Sequence, residues 1–280
     1  MKQLSLGFVL LLAAAPAFSA QPTPSSSNAQ VLYLQHVDAA IREGRLTQAE
    51  QMIAVLEQSG DTVFADDLAL LKAEHAIALM DAASAGLALA KIKDQDRNIC
   101  RVQAANGWVA ARQKAFETAI AALATTTRNC SDDAGAWNLL GLALVGKGEG
   151  AAARDAFARA MALEPGNAQI INNHALASLQ NGKVEVALRE LNEALVLNPE
   201  DQMIWANRNF VAGMAGLAPV RVDGDNDAAW SAKLVQFAQG AKMASRGPQA
   251  TALFSRAMLT LERFDAAIWS ELSPAKEGNR

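Results

Sequence analysis

Two adjacent stretches of 34 residues decide the fold: AGAWNLLGLALVGKGEGAAARDAFARAMALEPGN at 134–167 and AQIINNHALASLQNGKVEVALRELNEALVLNPED at 168–201. They align with each other without a gap. In each, apolar residues recur at spacings of three and four, which predicts amphipathic helices, and a proline near the end stops the second helix. The matching positions are Trp137, Leu140, Gly141, Leu144, Ala153, Phe157, Ala160 and Pro165 in the first stretch, and Ile171, His174, Ala175, Ser178, Ala187, Leu191, Ala194 and Pro199 in the second.

This pattern resembles the tetratricopeptide repeat (TPR), whose 34-residue unit is a pair of antiparallel helices, here called helix A and helix B. Small residues stand where such helices approach each other, as at Gly141, Ala153 and Ala160. One helix pair cannot bury its apolar faces alone, so units of this kind stack. We therefore predict an all-α protein, a right-handed α-solenoid of stacked TPR helix hairpins.

The same register extends over most of the chain, and each residue can be numbered by its position, 1 to 34, within its unit. After the fifth unit only a half unit remains, followed by a loop rich in aspartate, proline and glycine. A degenerate unit and a capping helix then complete one continuous solenoid. The predicted parts are units at 30–63, 66–99, 100–133, 134–167 and 168–201, a half unit at 202–217, a degenerate unit at 231–264, a capping helix at 264–272 and a tail at 273–280.

The first 20 residues predict a secretory signal peptide. Lys2 precedes an apolar run, Leu4 to Ala15, that is short for a bilayer span, and small residues follow it. No cysteine lies nearby, so we expect no lipid anchor. Residues 21–29 are rich in proline and serine and predict a flexible leader. The expected location is the periplasm, reached through a cleaved signal peptide.

The composition favours closely packed helices and excludes some partners. The chain is 51% hydrophobic but only 5% aromatic, with a formal charge of −4. A β-sheet protein would use more aromatic and β-branched residues. No block of lysine and arginine stands out, so we expect neither nucleic acid nor an anionic membrane as a partner.

Motifs that would indicate chemistry fail on inspection. Residues 141–148 begin like a phosphate loop, but Gly148 stands where Ser or Thr must bind magnesium. Residues 223–227 have the aspartate spacing of a calcium loop, but Ala228 and Leu234 replace the required Gly and Glu. The three histidines form no metal-ligand pair, and no Ser, His and Asp arrangement has a recognisable spacing. The sequence therefore indicates neither an enzyme nor a cofactor.

The two cysteines stand at opposite ends of one predicted unit. Cys100 opens its helix A and Cys130 closes its helix B. Antiparallel packing brings those ends together, as a disulfide requires, and an oxidising compartment favours the bond. Two buried thiols or a redox pair are the alternatives, although a redox pair normally has Cys-x-x-Cys spacing.

A narrower resemblance covers about residues 30 to 217. Ala-rich TPR arrays with asparagines early in helix A, as at Asn172, Asn173 and Asn207, resemble the TadD component of tight-adherence (Flp) pilus assembly. The resemblance implies a periplasmic scaffold that binds pilus assembly components. Another envelope process, such as outer-membrane assembly or cytochrome maturation, is an alternative. A thiol–disulfide redox protein that uses Cys100 and Cys130 is an alternative of another class.

The expected binding surface is the concave wall of helix A, where a protein or peptide partner would lie. Position 9 of four consecutive units would form an apolar stripe on this wall, flanked by asparagine amides that can bond a peptide backbone. The alternative for the two aromatic residues is that they pack against adjacent helices as core. The predicted groove residues are Trp108, Leu142, Leu176 and Phe210 at position 9, with Asn138, Asn172, Asn173 and Asn207 beside them.

Overall fold

A computed structural model describes residues 27–272, apart from residues 61, 97, 262 and 263, and within these it contains fourteen helices and no strand. The predicted signal peptide, most of the leader and the tail at 273–280 lie outside the described residues. In chain order the helices are α1 (Ser27–Arg42), α2 (Leu46–Ser59), α3 (Ala65–Ala78), α4 (Ala82–Leu89), α5 (Ile99–Arg112), α6 (Phe116–Asn129), α7 (Ala134–Lys147), α8 (Gly150–Leu163), α9 (Ala168–Gln180), α10 (Val184–Leu197), α11 (Gln202–Met214), α12 (Asp227–Met243), α13 (Gly247–Thr260) and α14 (Ala266–Leu272).

Helices α1 to α10 form five consecutive hairpins. The odd-numbered member of each pair is helix A and the even-numbered member is helix B. Each helix A also packs against helix A of the next hairpin, and each helix B packs against the helix A that follows it. Successive B helices do not pack closely on each other in the described part of the chain. The predicted all-α solenoid is therefore confirmed.

The turn that ends each helix A has a positive φ at the same position throughout, also in the half unit, where no helix B follows. The residue at position 15 adopts a left-handed backbone, with φ of 91° at Gly148 and 61° at Lys114. Glycine takes this conformation at low cost and ends helices for that reason. The same conformation recurs whether position 15 holds Gly, Met, Lys or Ser. The place in the repeat therefore determines the backbone conformation of the turn, and the residue type does not. The position-15 residues are Gly44, Met80, Lys114, Gly148, Gly182, Gly216 and Ser245.

Side-chain caps start successive A helices in the centre of the array. A carboxylate or amide oxygen accepts hydrogen bonds from backbone N–H groups that the first helical turn leaves unpaired. Asp133 accepts from the N–H of Ala136 at 3.0 Å. The residues 34 and 68 positions later, Asn167 and Asp201, cap α9 and α11 in the same way. The cap therefore recurs with the period of the repeat.

The small residues of the repeat lie where a larger side chain needs their space. A Cβ atom at Gly141 would lie 2.5 Å from the ring of Phe157, which is fully buried. Ala153 and Ala160 on α8 are also fully buried. The two helices of a hairpin thus approach closely, because a large side chain on one helix faces a residue with a small side chain or none on the other.

Helix α4 is the shortest B helix, with eight residues. The carboxylate of Asp66 accepts hydrogen bonds from the backbone N–H groups of Lys93 at 3.0 Å and Asp94 at 2.9 Å. These bonds compete with continuation of the helix. The chain after Leu89 is therefore held as a loop.

Two helices begin three or four residues earlier than the sequence register predicts. Helix α1 begins at Ser27, so residues 27–29 belong to a helix and not to the predicted leader. Helix α12 begins at Asp227 instead of residue 231, because the side chain of Asn226 accepts a bond from the N–H of Ala229 at 2.9 Å. At α12, local capping therefore sets the helix start more strongly than the repeat does.

Helices α11 and α12 cross in direct backbone contact. A Cβ atom at Gly240 would lie 1.9 Å from the carbonyl oxygen of Phe210, and one at Gly213 would lie 2.1 Å from that of Phe237. No helix B separates α11 from α12, so the next helix packs straight onto the half unit. Helix α12 packs on its other side against α13.

Candidate functional site

Four asparagines on three consecutive A helices form a ladder of hydrogen bonds, here called the asparagine ladder. Asn207 Nδ2 donates to Asn172 Oδ1 at 2.8 Å. Asn172 Nδ2 donates to Asn173 Oδ1 at 3.2 Å, and Asn173 Nδ2 donates to Asn138 Oδ1 at 3.0 Å. The ladder therefore connects α11, α9 and α7 along the wall of A helices.

The repeat geometry produces the ladder. Asn138 and Asn172 occupy position 5 of their units, and Asn173 and Asn207 occupy position 6 of the units that follow. Each interhelical bond consequently joins residues 35 apart in sequence. Stacking brings position 5 of one helix A beside position 6 of the next one.

The ladder retains hydrogen-bonding capacity. Asn172 is 3% exposed, whereas Asn138, Asn173 and Asn207 are half-buried. An amide group has two N–H donors and an oxygen that accepts two bonds, and the ladder uses at most one donor and one acceptor of each. The half-buried amides can therefore still bond a peptide backbone.

The predicted apolar stripe has three members instead of four. Leu142 is 37% exposed, and Leu176 and Phe210 are half-buried. Trp108 is only 9% exposed and packs within the core shared by α3, α4 and α5, with Leu139 of α7 against that core. Trp108 is therefore a core residue, as the alternative expected, and does not belong to the exposed stripe.

Position 9 carries charge at the amino-terminal end of the array. Asp38 and Glu74 occupy this position in the first two units, and both bind the guanidinium of Arg101, with Nη2 2.6 Å from Asp38 Oδ1. Burial raises the pKa of Glu74, although the bonds from Arg101 oppose the rise. Burial alone would lower the pKa of Arg101, but the hydrogen bonds and charges of Glu74 and Asp38 outweigh burial and raise the pKa of Arg101. The two carboxylates at position 9 are the sequence signal by which this cluster could have been found.

A second polar cluster lies between α8, α9 and α10. The hydroxyl of Ser178 donates to Glu190 Oε2 at 2.9 Å, and His174 Nδ1 lies 3.1 Å from Glu190 Oε1. Burial favours the neutral form of Glu190, but the bonds from His174 and Ser178 outweigh it and lower the pKa of Glu190. Ser178 is fully buried, so its hydroxyl, which donates the hydrogen bond to Glu190, is closed off from solvent. Sequence spacing did not reveal the cluster, since Glu190 comes from the next helix.

The two cysteines lie together. The Cα atoms of Cys100 and Cys130 are 6.2 Å apart, within the range that a disulfide spans, and the structure pairs their sulfur atoms. Cys130 is 6% exposed and Cys100 is half-buried. Formation of the bond in the protein stays a prediction.

Metal-binding clusters and membrane-spanning helices are both absent from residues 27–272, leaving out the four residues not described. No group of three His, Cys, Asp or Glu residues there is arranged to hold a metal ion. No helix there combines the length and apolar character needed to cross a bilayer.

Solved structures with the same fold include TPR proteins. The crystal structure of the APC/C hetero-tetramer Cut9–Hcn1 matches with a TM-score of 0.54 and 14% identity, over 89% of this chain and 42% of that one. The chain thus spans less than half the length of that relative. A TPR protein from Parabacteroides merdae matches with a TM-score of 0.51 and 12% identity, over 86% of this chain and 96% of that one. The C-terminal part of a TPR protein from Cytophaga hutchinsonii matches with a TM-score of 0.50 and 12% identity, over 86% of this chain and 100% of that one.

These likenesses show the fold alone, because all are below 25% identity. No curated protein matches the chain. A family model described as a tetratricopeptide repeat-like domain matches residues 3–181, which is more than half of the chain. With its stacked helix hairpins, the chain belongs to the tetratricopeptide repeat-like domain family.

Proposed function

We propose that the chain holds an extended segment of a protein partner along the asparagine ladder. Domains of this family bind protein partners, and the chain is accordingly a scaffold for protein–protein interaction. The observation that carries the finer proposal is the row of half-buried amides beside Leu142, Leu176 and Phe210. The proposal is one of recognition and requires no reaction at this surface.

Two kinds of contact would hold the segment. The amides of Asn138, Asn173 and Asn207 pair with backbone N–H and C=O groups, which every sequence offers. Leu176 and Phe210 receive apolar side chains on the same side of the helices. Because the ladder is already bonded internally, its amides are fixed before the partner arrives, and binding orders few side chains. The surface thus suits extended peptides of modest sequence specificity.

Replacing two ladder asparagines is expected to weaken partner capture. In the double variant Asn173→Ala and Asn207→Ala, both interhelical bonds and two of the three half-buried amides are lost. We expect at least a tenfold loss of affinity for the partner, equal to about 1.4 kcal/mol. The measurement is capture from envelope extract on the immobilised protein, identification of the captured protein, and titration of that purified protein.

Asn129→Ala provides the matched control, because Asn129 is exposed at the end of α6 and away from the ladder. Circular dichroism of each variant checks that the helices remain. If the double variant binds the partner as tightly as the parent, the ladder is a structural feature only and the proposal fails.

The proposed setting is the periplasm and the assembly of an envelope machine, with the tight-adherence (Flp) pilus as the first candidate. The early helix A asparagines that resemble TadD support this setting, and the apolar run of Leu4 to Ala15 supports export. A scaffold for outer-membrane assembly or cytochrome maturation is the second candidate. Identification of the captured partner as a pilus component or as another envelope protein decides between them.

Export predicts a defined mature protein. We expect cleavage after the apolar run, with a new amino terminus between Phe18 and Pro22. Intact-mass spectrometry of the protein purified from its native host tests this. An amino terminus at Met1 or Lys2 in that sample contradicts a cleaved signal peptide.

A redox function has less support. Thiol–disulfide exchange needs a sulfur that a partner thiolate can attack, and Cys130 is 6% exposed while Cys100 is half-buried. The two cysteines also lie at the ends of a hairpin and not in a Cys-x-x-Cys turn. The same pair is better placed to hold α5 and α6 together.

A further inference from the structure

Helix α11 is a regular helix A whose helix B is missing. It has the position-34 cap of its neighbours in Asp201. The indole of Trp205 donates to the carbonyl of Pro199 at 2.8 Å, and Trp137, at the same position two units earlier, donates to the carbonyl of Ser131 at 3.0 Å. The chain then enters a loop at 215–226 where the other hairpins have helix B.

The place of the missing helix is only partly filled. Helix α12 crosses α11 at Gly213 and Gly240, so it covers the carboxyl-terminal half of α11. Beside the amino-terminal half a cleft of about 530 Å³ remains, here called the half-unit cleft. This size lies within the range of ligand pockets. Its lining includes Trp205, Arg208, Val220, Val222, Lys233 and Gln236.

The outer wall of the cleft is held in place. Lys233 on α12 forms an ion pair with Asp225 at 2.6 Å, and Asp225 Oδ2 also accepts from the N–H of Val222 at 3.1 Å. Arg221 Nη2 bonds Asp227 Oδ1 at 2.7 Å. The loop is thus tied to the start of α12, and the cleft has two fixed sides.

Arg208 brings a positive charge to the cleft that lacks a counter-ion among the described residues. Its guanidinium bonds the side-chain oxygens of Asn192 at 3.3 Å and Asn209 at 3.4 Å, and neither of these carries a charge. Burial lowers the pKa of Arg208. Lys233, in contrast, is neutralised by Asp225. The cleft therefore favours a carboxylate at Arg208.

Apolar side chains surround that charge without being covered. Trp205 is 39% exposed, Val220 is 70% exposed and Val222 is 56% exposed. A ligand that offers apolar groups together with a carboxylate matches both properties of the cleft.

The preceding unit contains a carboxylate at the equivalent place. Arg208 occupies position 7 of the half unit, and the residue at position 7 of the fifth unit is His174. There the partner is Glu190, at position 23 on helix B, 3.1 Å from His174. A helix in the vacant place with an acidic residue at position 23 would bring its carboxylate to Arg208.

We propose that the half-unit cleft binds about two turns of an amphipathic helix from a protein partner, with an aspartate or glutamate of that helix paired to Arg208. The partner's apolar face covers Trp205, Val220 and Val222. The helix completes the hairpin that α11 begins. This site is separate from the asparagine ladder and does not depend on it.

The probe is a fluorescein-labelled peptide with the sequence of this chain's own α10, residues 184–197, which carries Glu190 in the required register. Fluorescence anisotropy measures its binding to the full chain. We expect saturable binding with a dissociation constant below about 0.1 mM. A peptide with Glu190→Gln and a protein with Arg208→Gln should each bind at least about fivefold more weakly.

A double-mutant cycle tests the pair itself. Because both changes remove the same contact, the variant peptide should bind the Arg208→Gln protein no more weakly than either single change does. Arg128→Gln, which removes an exposed arginine on α6, is the matched control and should leave binding unchanged. The Asn173→Ala and Asn207→Ala protein should also bind the peptide normally, which separates this site from the ladder.

Several outcomes would overturn the proposal. They are no binding of the parent peptide up to about 1 mM, equal affinity of the parent and Glu190→Gln peptides for the unchanged protein, or additive effects in the cycle. The comparison of the two peptides needs no protein variant, so it holds even if Arg208→Gln impairs folding. Sedimentation that shows an Arg208-dependent dimer would overturn it in favour of a second copy of this chain as the occupant of the cleft.

Discussion

Gly240→Ala is expected to destabilise the carboxyl-terminal part of the array by about 3 kcal/mol or more. The added methyl group would lie 1.9 Å from the carbonyl oxygen of Phe210, which is backbone and cannot rotate away. Helices α11 and α12 must therefore move apart along their crossing. Gly213→Ala, with its contact of 2.1 Å to Phe237, should act in the same way.

The effect should be local, because each element of a repeat array depends on its neighbours. Urea unfolding followed by circular dichroism gives the loss of stability, and hydrogen exchange shows where it falls. We expect α12 and α13 to lose protection while α7 and α8 keep it. Gly247→Ala is the control, since a Cβ atom there meets nothing within 4 Å and the change should stay within about 0.5 kcal/mol. Equal effects at Gly240 and Gly247 would contradict the close crossing.

Removing the disulfide bond between Cys100 and Cys130 is expected to cause the second large loss of stability. The bond closes a loop of 31 residues counting both cysteines, which are separated by 30 in sequence. The chain-entropy relation gives about 3.6 kcal/mol for such a loop, and measured values are often smaller. We expect the double variant Cys100→Ser and Cys130→Ser to lose most of this free energy of unfolding.

Reduction provides an independent measurement. Dithiothreitol should destabilise the parent protein by the same amount as the double substitution and should leave the double variant unchanged. Non-reducing peptide mapping of periplasmic protein should recover Cys100 and Cys130 in one linked pair. Alkylatable thiols at both positions in that material would show that the bond does not form.

The repeat was predictable from sequence because its core is periodic. Gly141, Ala153 and Ala160 stand at fixed positions, and each is buried against a neighbouring helix. The side chain that occupies the space, Phe157, was visible in the same pattern. Residues whose environment is set within one hairpin could therefore be placed without coordinates.

Contacts between units were harder to predict. The four ladder asparagines were identified, but as groups for a partner and not as partners of one another. Their interhelical bonds join residues 35 apart, and this offset arises from the stacking geometry and not from the 34-residue period. Trp108 was misplaced for a related reason, since Leu139 from the following unit packs against the core that contains it.

The end of the array could not be predicted in detail, because it leaves the repeat. The sequence indicated a half unit and a loop, but contained no sign that Gly213 and Gly240 would bring α11 and α12 into backbone contact. Nor could the sequence show that Arg208 would lie in a cleft. The repeat pattern predicts a helix B beside position 7, as Glu190 of α10 lies beside His174 one unit earlier.

The asparagine ladder also has a mechanical consequence. It ties α7, α9 and α11 together along one edge through two interhelical bonds of 3.0 and 2.8 Å. On the opposite edge α8 and α10 do not pack closely, and a cleft of about 520 Å³ opens there between α8 and Lys183, the residue before α10. We expect such an array to bend with the spacing of its A helices held by the ladder and the spacing of its B helices free to change. We therefore expect tension along the solenoid to change its curvature before it changes the spacing of the ladder, so that a peptide bound as proposed would keep its register.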